Sequence, residues 1–315
     1  MSNLSVLYDA PGPKAKARNI LYTVLFLVVF VAVLWWALAA MADKGQLDAN
    51  KWSPFVTDSR VWTTFLLPAL GNTLKAAALS IVIALPLGAI LGIGRLSDHR
   101  WVRIPCGAVV EFFRAIPVLL LMLFASALYV QFTDISSELR PLYAVVTGLV
   151  LYNASVIAEV VRSGILSLPR GQTDAAQAIG MRKGQAMTHV LLPQSVTAML
   201  PALVSQLVVV VKDTALGGVM LNFEELLRSV RTISANYGAN TIAAFTVVAL
   251  IFIVLNFLLT SAATWLERRI RRGKRTTGAV VTIDPTDAME ADQLGRPAIK
   301  TKQPSTPDEQ GRLDG

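Results

Sequence analysis

RGQTDAAQAIGMRKGQAMTHVLLP, residues 170–193, is a polar stretch punctuated by Gly171, Gly180 and Gly184 and set between two long apolar segments. With apolar chain on both sides, the fold around it is one in which lipid takes the place of much of a core. Composition agrees: 54% of the 315 residues are hydrophobic and 16% charged, with a mean hydropathy of +0.53. Several apolar runs approach or exceed the ~18 residues that suggest a membrane-spanning helix, which excludes an ordinary soluble domain. The island is then expected to be the point at which a membrane protein is gripped by something soluble.

Working outward, the apolar segments read as Ile20–Met41, Leu66–Gly94, Gly107–Gln131, Leu142–Leu166, Gln194–Gly218 and Thr241–Leu266. Hydrocarbon demands that backbone groups be paired within the segment, so all six are expected to be helices. The fold class is all-α: a polytopic membrane protein with about six transmembrane helices. Pro86 predicts a kink in the second helix, with Gly88, Gly92 and Gly94 allowing close packing. Ala37–Ala42 before Asp43 resembles a signal-peptide cleavage site, but an apolar run this long favours an uncleaved helix. Asp43 to Thr64 reads as an exposed loop. The single cysteine, Cys106, can form no internal disulfide.

Lys14, Lys16 and Arg18, then Arg95, Arg100 and Arg103, then Arg170, Arg182 and Lys183, then the basic cluster from Arg268 to Arg275, fall on one side. Connections on the other side mix both signs of charge. The positive-inside bias makes the rich side, both termini and the island cytoplasmic; the resemblance given below implies a bacterial plasma membrane. The net charge of +8 is thus used for orientation; without a basic stripe interleaved with aromatics, nucleic acid is not expected as a partner. The expected organisation is a cytoplasmic leader 1–18, an accessory first helix 19–42, a transmembrane domain 66–268 containing the island, and a disordered cytoplasmic tail 276–315.

Within the island, Thr173–Thr188 is good helix material, with Asp174 expected early in the first turn where the helix dipole favours an acid. Gly180 interrupts it, and Pro193 is expected to open the next membrane helix. Small side chains followed by glycine would let another protein come near; an amphipathic helix lying on the inner leaflet is the other reading. The spacing Asp174-Ala175-Ala176, three residues, Gly180, nine residues, Val190-Leu191-Leu192-Pro193 resembles the EAA loop of ABC importer permeases, with Asp for Glu and Val for Ile. That resemblance implies the type I ABC importer permease fold, with 170–193 as the coupling loop that docks into a separate cytoplasmic ATPase. The chain contains no G-x-x-x-x-G-K-[ST] phosphate loop, so it binds no cofactor itself, and ATP and Mg are expected on the partner.

Asn72-Thr73-Leu74, Glu111-Phe112-Phe113-Arg114 with Pro117, Glu159 with Arg162-Ser163-Gly164, Ser167-Leu168-Pro169, Gly171-Gln172 and Lys212-Asp213-Thr214-Ala215-Leu216 are similar to the polar amino acid permease family. Within it the resemblance is to the glutamate-type permeases of actinobacteria. The family usually carries Gly-Thr where Ala115-Ile116 stand, leaving the local geometry of the third helix open. The resemblance implies ABC ATPase subunits, a second permease subunit, identical or homologous, and an extracytoplasmic substrate-binding protein as partners. The binding protein would deliver substrate to outer loops including Asn222–Asn240.

Glu111 and Arg114, and Glu159 and Arg162, are three apart on one helix face, so each pair is expected to neutralise itself. They read as gating or structural pairs, or as substrate contacts. Lys212 and Asp213 offer both signs to a zwitterionic amino acid, or an interhelical salt bridge. Asn153, Ser155, Gln206 and Thr214 complete the candidate substrate pathway, the same polar groups also being able to glue helices together. The sequence thus reads as a permease subunit of an ATP-driven importer for a polar amino acid, best read as glutamate. An ATP-independent channel and a membrane scaffold stand as alternatives, and neither explains the fit of Asp174, Gly180 and Pro193.

Overall fold

The computed structural model describes residues 12–272, and every regular element in that range is helical. The expected tail 276–315, and all of the leader before residue 12, lie outside the described residues. Residues up to Glu267 form one unit; of the second, 268–315, only the end of the last helix is described.

The first helix, α1 (Pro13–Asp43), has proline in its first turn, where the missing N–H costs nothing, and none of its residues is buried. Two short helices follow, α2 (Ala49–Trp52) and α3 (Pro54–Thr57). Here the expected exposed loop is corrected. Phe55 and Val61 are buried in one cluster with Leu226, Val230, Ile233 and Val248, and the indoles of Trp52 and Trp62 donate to the carbonyls of Gln46 (3.0 Å) and Phe55 (2.8 Å). The aromatic residues scattered among the charges of this segment supply the apolar bodies for that packing.

A π-helical turn, Val61–Leu66, leads into α4 (Leu67–Gly94), which runs unbroken through Pro86. The expected single helix at Gly107–Gln131 is a bent pair instead. α5 (Arg100–Ala115) and α6 (Val118–Phe132) meet at 100°. Pro117 causes this: its ring pushes the preceding residue out of the helical region, and Ile116 sits at φ −93°, ψ 129°. Next come α7 (Arg140–Leu166), α8 (Arg170–Ala178) and α9 (Lys183–Ala186), the last passing through a π-turn, Met187–Leu191, into α10 (Leu192–Met220). The helical run toward the membrane thus starts at Lys183, ten residues before the expected Pro193, and the π-turn ends two residues before the proline. The amphipathic α11 (Leu226–Asn236) and α12 (Thr241–Arg272) complete the chain. Among the described residues, five helical runs are long and apolar enough to cross a membrane, and six if the bent pair counts as one.

At the centre stands α7, with Ala144, Val145, Leu149, Asn153, Ala154 and Ala158 buried. In lipid the hydrophobic effect cannot drive helix against helix, so close backbone approach must. On α4, Ala84, Gly88 and Gly92 recur every fourth residue, and all three are buried. A Cβ at Gly88 would lie 2.8 Å from the Ala154 carbonyl oxygen, and one at Gly92 would lie 2.6 Å from that of Ala158. Neighbours on the other faces of α7 come equally near: a Cβ at Gly148 would sit 2.5 Å from Met122 of α6, and one at Gly217 of α10 would sit 2.2 Å from Val145.

Gly92→Ala is therefore expected to destabilise the bundle by about 1–3 kcal/mol, seen as a lower melting temperature in detergent. Gly71→Ala on the same helix, where a Cβ meets nothing within 4 Å, is expected to be neutral or mildly stabilising. Equal melting temperatures for the two variants would refute the close-approach account.

Candidate functional site

The island folds as α8, a tight reversal and α9. Its helix begins at Arg170, so Asp174 is the fifth residue and no acid stands in the first turn; the expected dipole pairing is corrected. Pro169 at φ −55° starts the helix earlier than the Thr173 suggested by propensity. The end of α8 is a Schellman closure, with Gly180 N–H donating to the Gln177 carbonyl (2.9 Å) and Met181 N–H to the Ala176 carbonyl (3.1 Å). It requires Gly180 at φ +82°, where a Cβ would point into open space. Within this chain the glycine answers a backbone demand, and nothing crowds it. Ala176 is the inward residue at 4% exposure, while Asp174, Ala175, Ala178 and Ile179 face outward, Ile179 at 79%. A short apolar ledge thus protrudes beside the reversal.

From the first position of α9, Lys183 reaches back to the α4–α5 connection. Its ammonium donates to the Leu96 carbonyl (3.2 Å) and pairs with the Asp98 carboxylate. The Lys183 hydrogen bond, opposed by some desolvation, holds the Asp98 carboxyl below the usual carboxylate range.

Arg95, which ends α4, draws the two predicted ion pairs into one cluster. Its guanidinium forks between Glu159 on α7 (2.6 Å) and Glu111 on α5 (2.9 Å). Arg162 holds Glu159 at 2.6 Å, as expected, but Arg114 stands 3.7 Å from both glutamates. Glu111 and Arg114 do pair as expected, at the longer 3.7 Å, and Glu111 has a closer second partner in Arg95. The planar fork of arginine suits two carboxylates, and the C-terminus of α4 favours a cation. Three arginines against two glutamates leave one positive charge over, and Arg95 is the best shielded, its side chain 13% exposed.

The predicted pathway residues divide. Asn153 and Gln206 come together across α7 and α10, Gln206 Nε2 donating to Asn153 Oδ1 (2.5 Å) while Asn153 Nδ2 donates to the Leu149 carbonyl (2.8 Å). Ser155 and Thr214 are buried, their hydroxyls bonded to the carbonyls of Tyr152 and Val211. Lys212 is exposed and Asp213 partly so; among the described residues neither side chain makes a hydrogen bond or an ion pair, so the interhelical salt bridge is not formed. Asp213 lies seven residues after Gln206, two turns along the same stripe of α10.

At the opposite end of the bundle stands Glu225, which the sequence offers only as one of the charges of the outer connections. It caps α11, accepting from the N–H groups of Leu227 and Arg228 at 2.7 Å each, and is fully buried. A Cβ on Gly218 would fall 1.7 Å from its Oε1. Asn72 and Thr73 of α4 clamp the same turn, through the Glu224 carbonyl (2.8 Å) and the Leu226 N–H (3.2 Å). Burial pushes the Glu225 carboxyl up from 4.5 to about 7, against the pull of its two N–H bonds. An acid before a helix is an ordinary capping signal; its burial is not visible in sequence.

Among known proteins, the family profile for binding-protein-dependent transport system inner membrane components matches residues 84–272. The chain is 49% identical over 252 residues to the glutamate transport system permease protein GluD of Corynebacterium glutamicum, covering 79% of this chain and 91% of that one. It is 32% identical over 250 residues, 78% of its length, to the glutamate/glutamine/aspartate/asparagine transport system permease protein BztC of Rhodobacter capsulatus, of which it spans 56%. A solved amino acid ABC transporter crystallised with histidines superposes with a TM-score of 0.61 at 25% identity, covering 69% of this chain and 98% of that one.

A raised carboxyl pKa means that the protonated form suits the folded state. The Glu225 contribution is complete below about pH 4.5 and is lost as pH rises through about 7. The loss is on the order of 3 kcal/mol, read as a falling melting temperature across that window. Glu225→Gln is expected to flatten the profile; an unchanged profile would refute the assignment.

Proposed function

This chain belongs to the family of binding-protein-dependent transport system inner membrane components, and on that premise we propose that it is the permease subunit of an ATP-driven importer for glutamate. The coupling role is carried by one observation: the exposed ledge of Ala175, Ala178 and Ile179, fixed by the Gly180 closure beside a run of basic residues. Support for the substrate comes from the 49% identity, sustained over 91% of a glutamate permease.

The end bearing α8 also bears Arg95, Arg100, Arg103, Arg182 and Lys183, which makes it cytoplasmic by the positive-inside bias. There α8 docks into a partner ATPase, and a second permease subunit supplies the other half of the pathway. ATP and Mg reside on the ATPases. Their closure displaces α8 and α9, and with them α10, shifting access between the two sides. At the other end, α2, α3 and α11 present the surface to which an extracytoplasmic binding protein delivers substrate. Lys212 and Asp213, charged and without a hydrogen-bond or ion-pair partner among the described residues, are placed to meet the two charges of an amino acid backbone. Asn153 and Gln206, hydrogen-bonded to each other, can exchange that bond for one to substrate. The residues of this chain bind, orient and transmit; hydrolysis is the work of the partner.

Gly180→Arg is expected to insert normally, yet lose ATPase capture and reduce ATP-coupled uptake of labelled glutamate into liposomes about tenfold or more, a loss worth about 1.4 kcal/mol per decade. Gly180→Asn tolerates the positive φ, so its melting temperature separates backbone strain from obstruction of docking. Unchanged uptake and ATPase binding in the arginine variant would sink the assignment.

A further inference from the structure

We infer that residues 95–99 act as a taut strap that carries displacement of the coupling segment into the Arg95 charge cluster, with Lys183 and Asp98 as positioning residues. This rests on the importer reading for what moves α9, and goes beyond it in saying how the movement enters the membrane helices.

The strap has little slack. Arg95 N–H donates to the Leu91 carbonyl (3.0 Å), Leu96 N–H to that of Ile93 (2.9 Å) and Ser97 N–H to that of Gly94 (3.1 Å). The His99 N–H donates to the Ser97 hydroxyl oxygen (3.2 Å), and the His99 carbonyl accepts from Val102 and Arg103 at 3.0 Å each, starting α5. Lys183 grips this stretch at two points, the Leu96 carbonyl and the Asp98 carboxylate. One residue before Leu96 stands Arg95, with a glutamate of α5 on one arm and a glutamate of α7 on the other. A shift of α9 therefore moves Arg95 relative to two carboxylates on different helices. Three arginines competing for two glutamates, with Arg114 held only at 3.7 Å, form an arrangement that can re-pair, because a cation is in reserve when Arg95 withdraws. The Lys183–Asp98 pair is exposed, so its share of stability is small, though readable as a shift in melting temperature, and the larger effect of losing it is expected in coupling.

The test uses the complete complex in liposomes, with glutamate uptake and ATP hydrolysis measured together for Lys183→Glu, Asp98→Lys and the double variant. Each single variant is expected to keep its ATPase and to move about fivefold less glutamate per ATP, the lower end of ordinary site-to-site coupling. The double variant, with the charges exchanged, is expected to recover to within about twofold, the signature of a direct pair. Unchanged stoichiometry in the single variants overturns the strap, as does a double variant no better than either. Loss of the ATPase from either single variant also overturns it, since Lys183 would then be a docking residue. If the unaltered complex shows no ATP-driven uptake, the importer reading fails separately. The strap is then judged by the same cycle of melting temperatures on the permease alone, where non-additivity supports it and additivity overturns it.

Discussion

The structure depends on how near one backbone can come to α7. Lipid is as apolar as leucine, so burying a leucine between two membrane helices gains little; what remains is contact at short range. Gly88 and Gly92 on α4, set against the carbonyls of Ala154 and Ala158, provide that contact along one side of α7. Met122 over Gly148 provides it on another. The positions of the polar groups follow: Asn153 can reach Gln206, and Arg95 can reach Glu159, only because the helices carrying them already stand close.

The charges are arranged by the same constraint. Those of the Arg95 cluster gather where three helix segments converge, so that each carboxylate has more than one cation within reach. The fully buried Glu225 is held by two backbone N–H groups and a glycine that makes room for it. Such a group is costly to charge and well placed to fix one conformation of the turn between α10 and α11.

Much of this was legible in the residues. Apolar length gave five of the spans, and the family spacing of Asp174, Gly180 and Pro193 located the segment that stands out from the bundle. The break at Ile116–Pro117 was missed because hydropathy averages over α5 and α6, although Pro117 carried the local signal and the departure at Ala115-Ile116 pointed to the same place. The packing of 49–66 was missed because its charges outweigh a few aromatic residues in any average. Arg95 was read as an orientation charge, and its bridging role depends on residues 16 and 64 positions away. Gly180 was expected to allow approach; its positive φ adds a conformational reason that spacing alone does not reveal.

One feature bears on how the protein meets membranes of different thickness. No residue of α1 is buried, so within this chain little packing holds its angle. Its apolar run, Ile20–Met41, is about 33 Å long as a helix, against a hydrocarbon layer of about 30 Å whose thickness differs between membranes. Its tilt is therefore governed by the bilayer, with Trp35 and Trp36, 75% and 72% exposed, free to settle at the level of the headgroups. A thicker membrane stands α1 upright and a thinner one lays it over, while α4 and α7, locked through glycine, keep their mutual angle in both. The same chain thus carries a rigid core and one helix that follows the lipid.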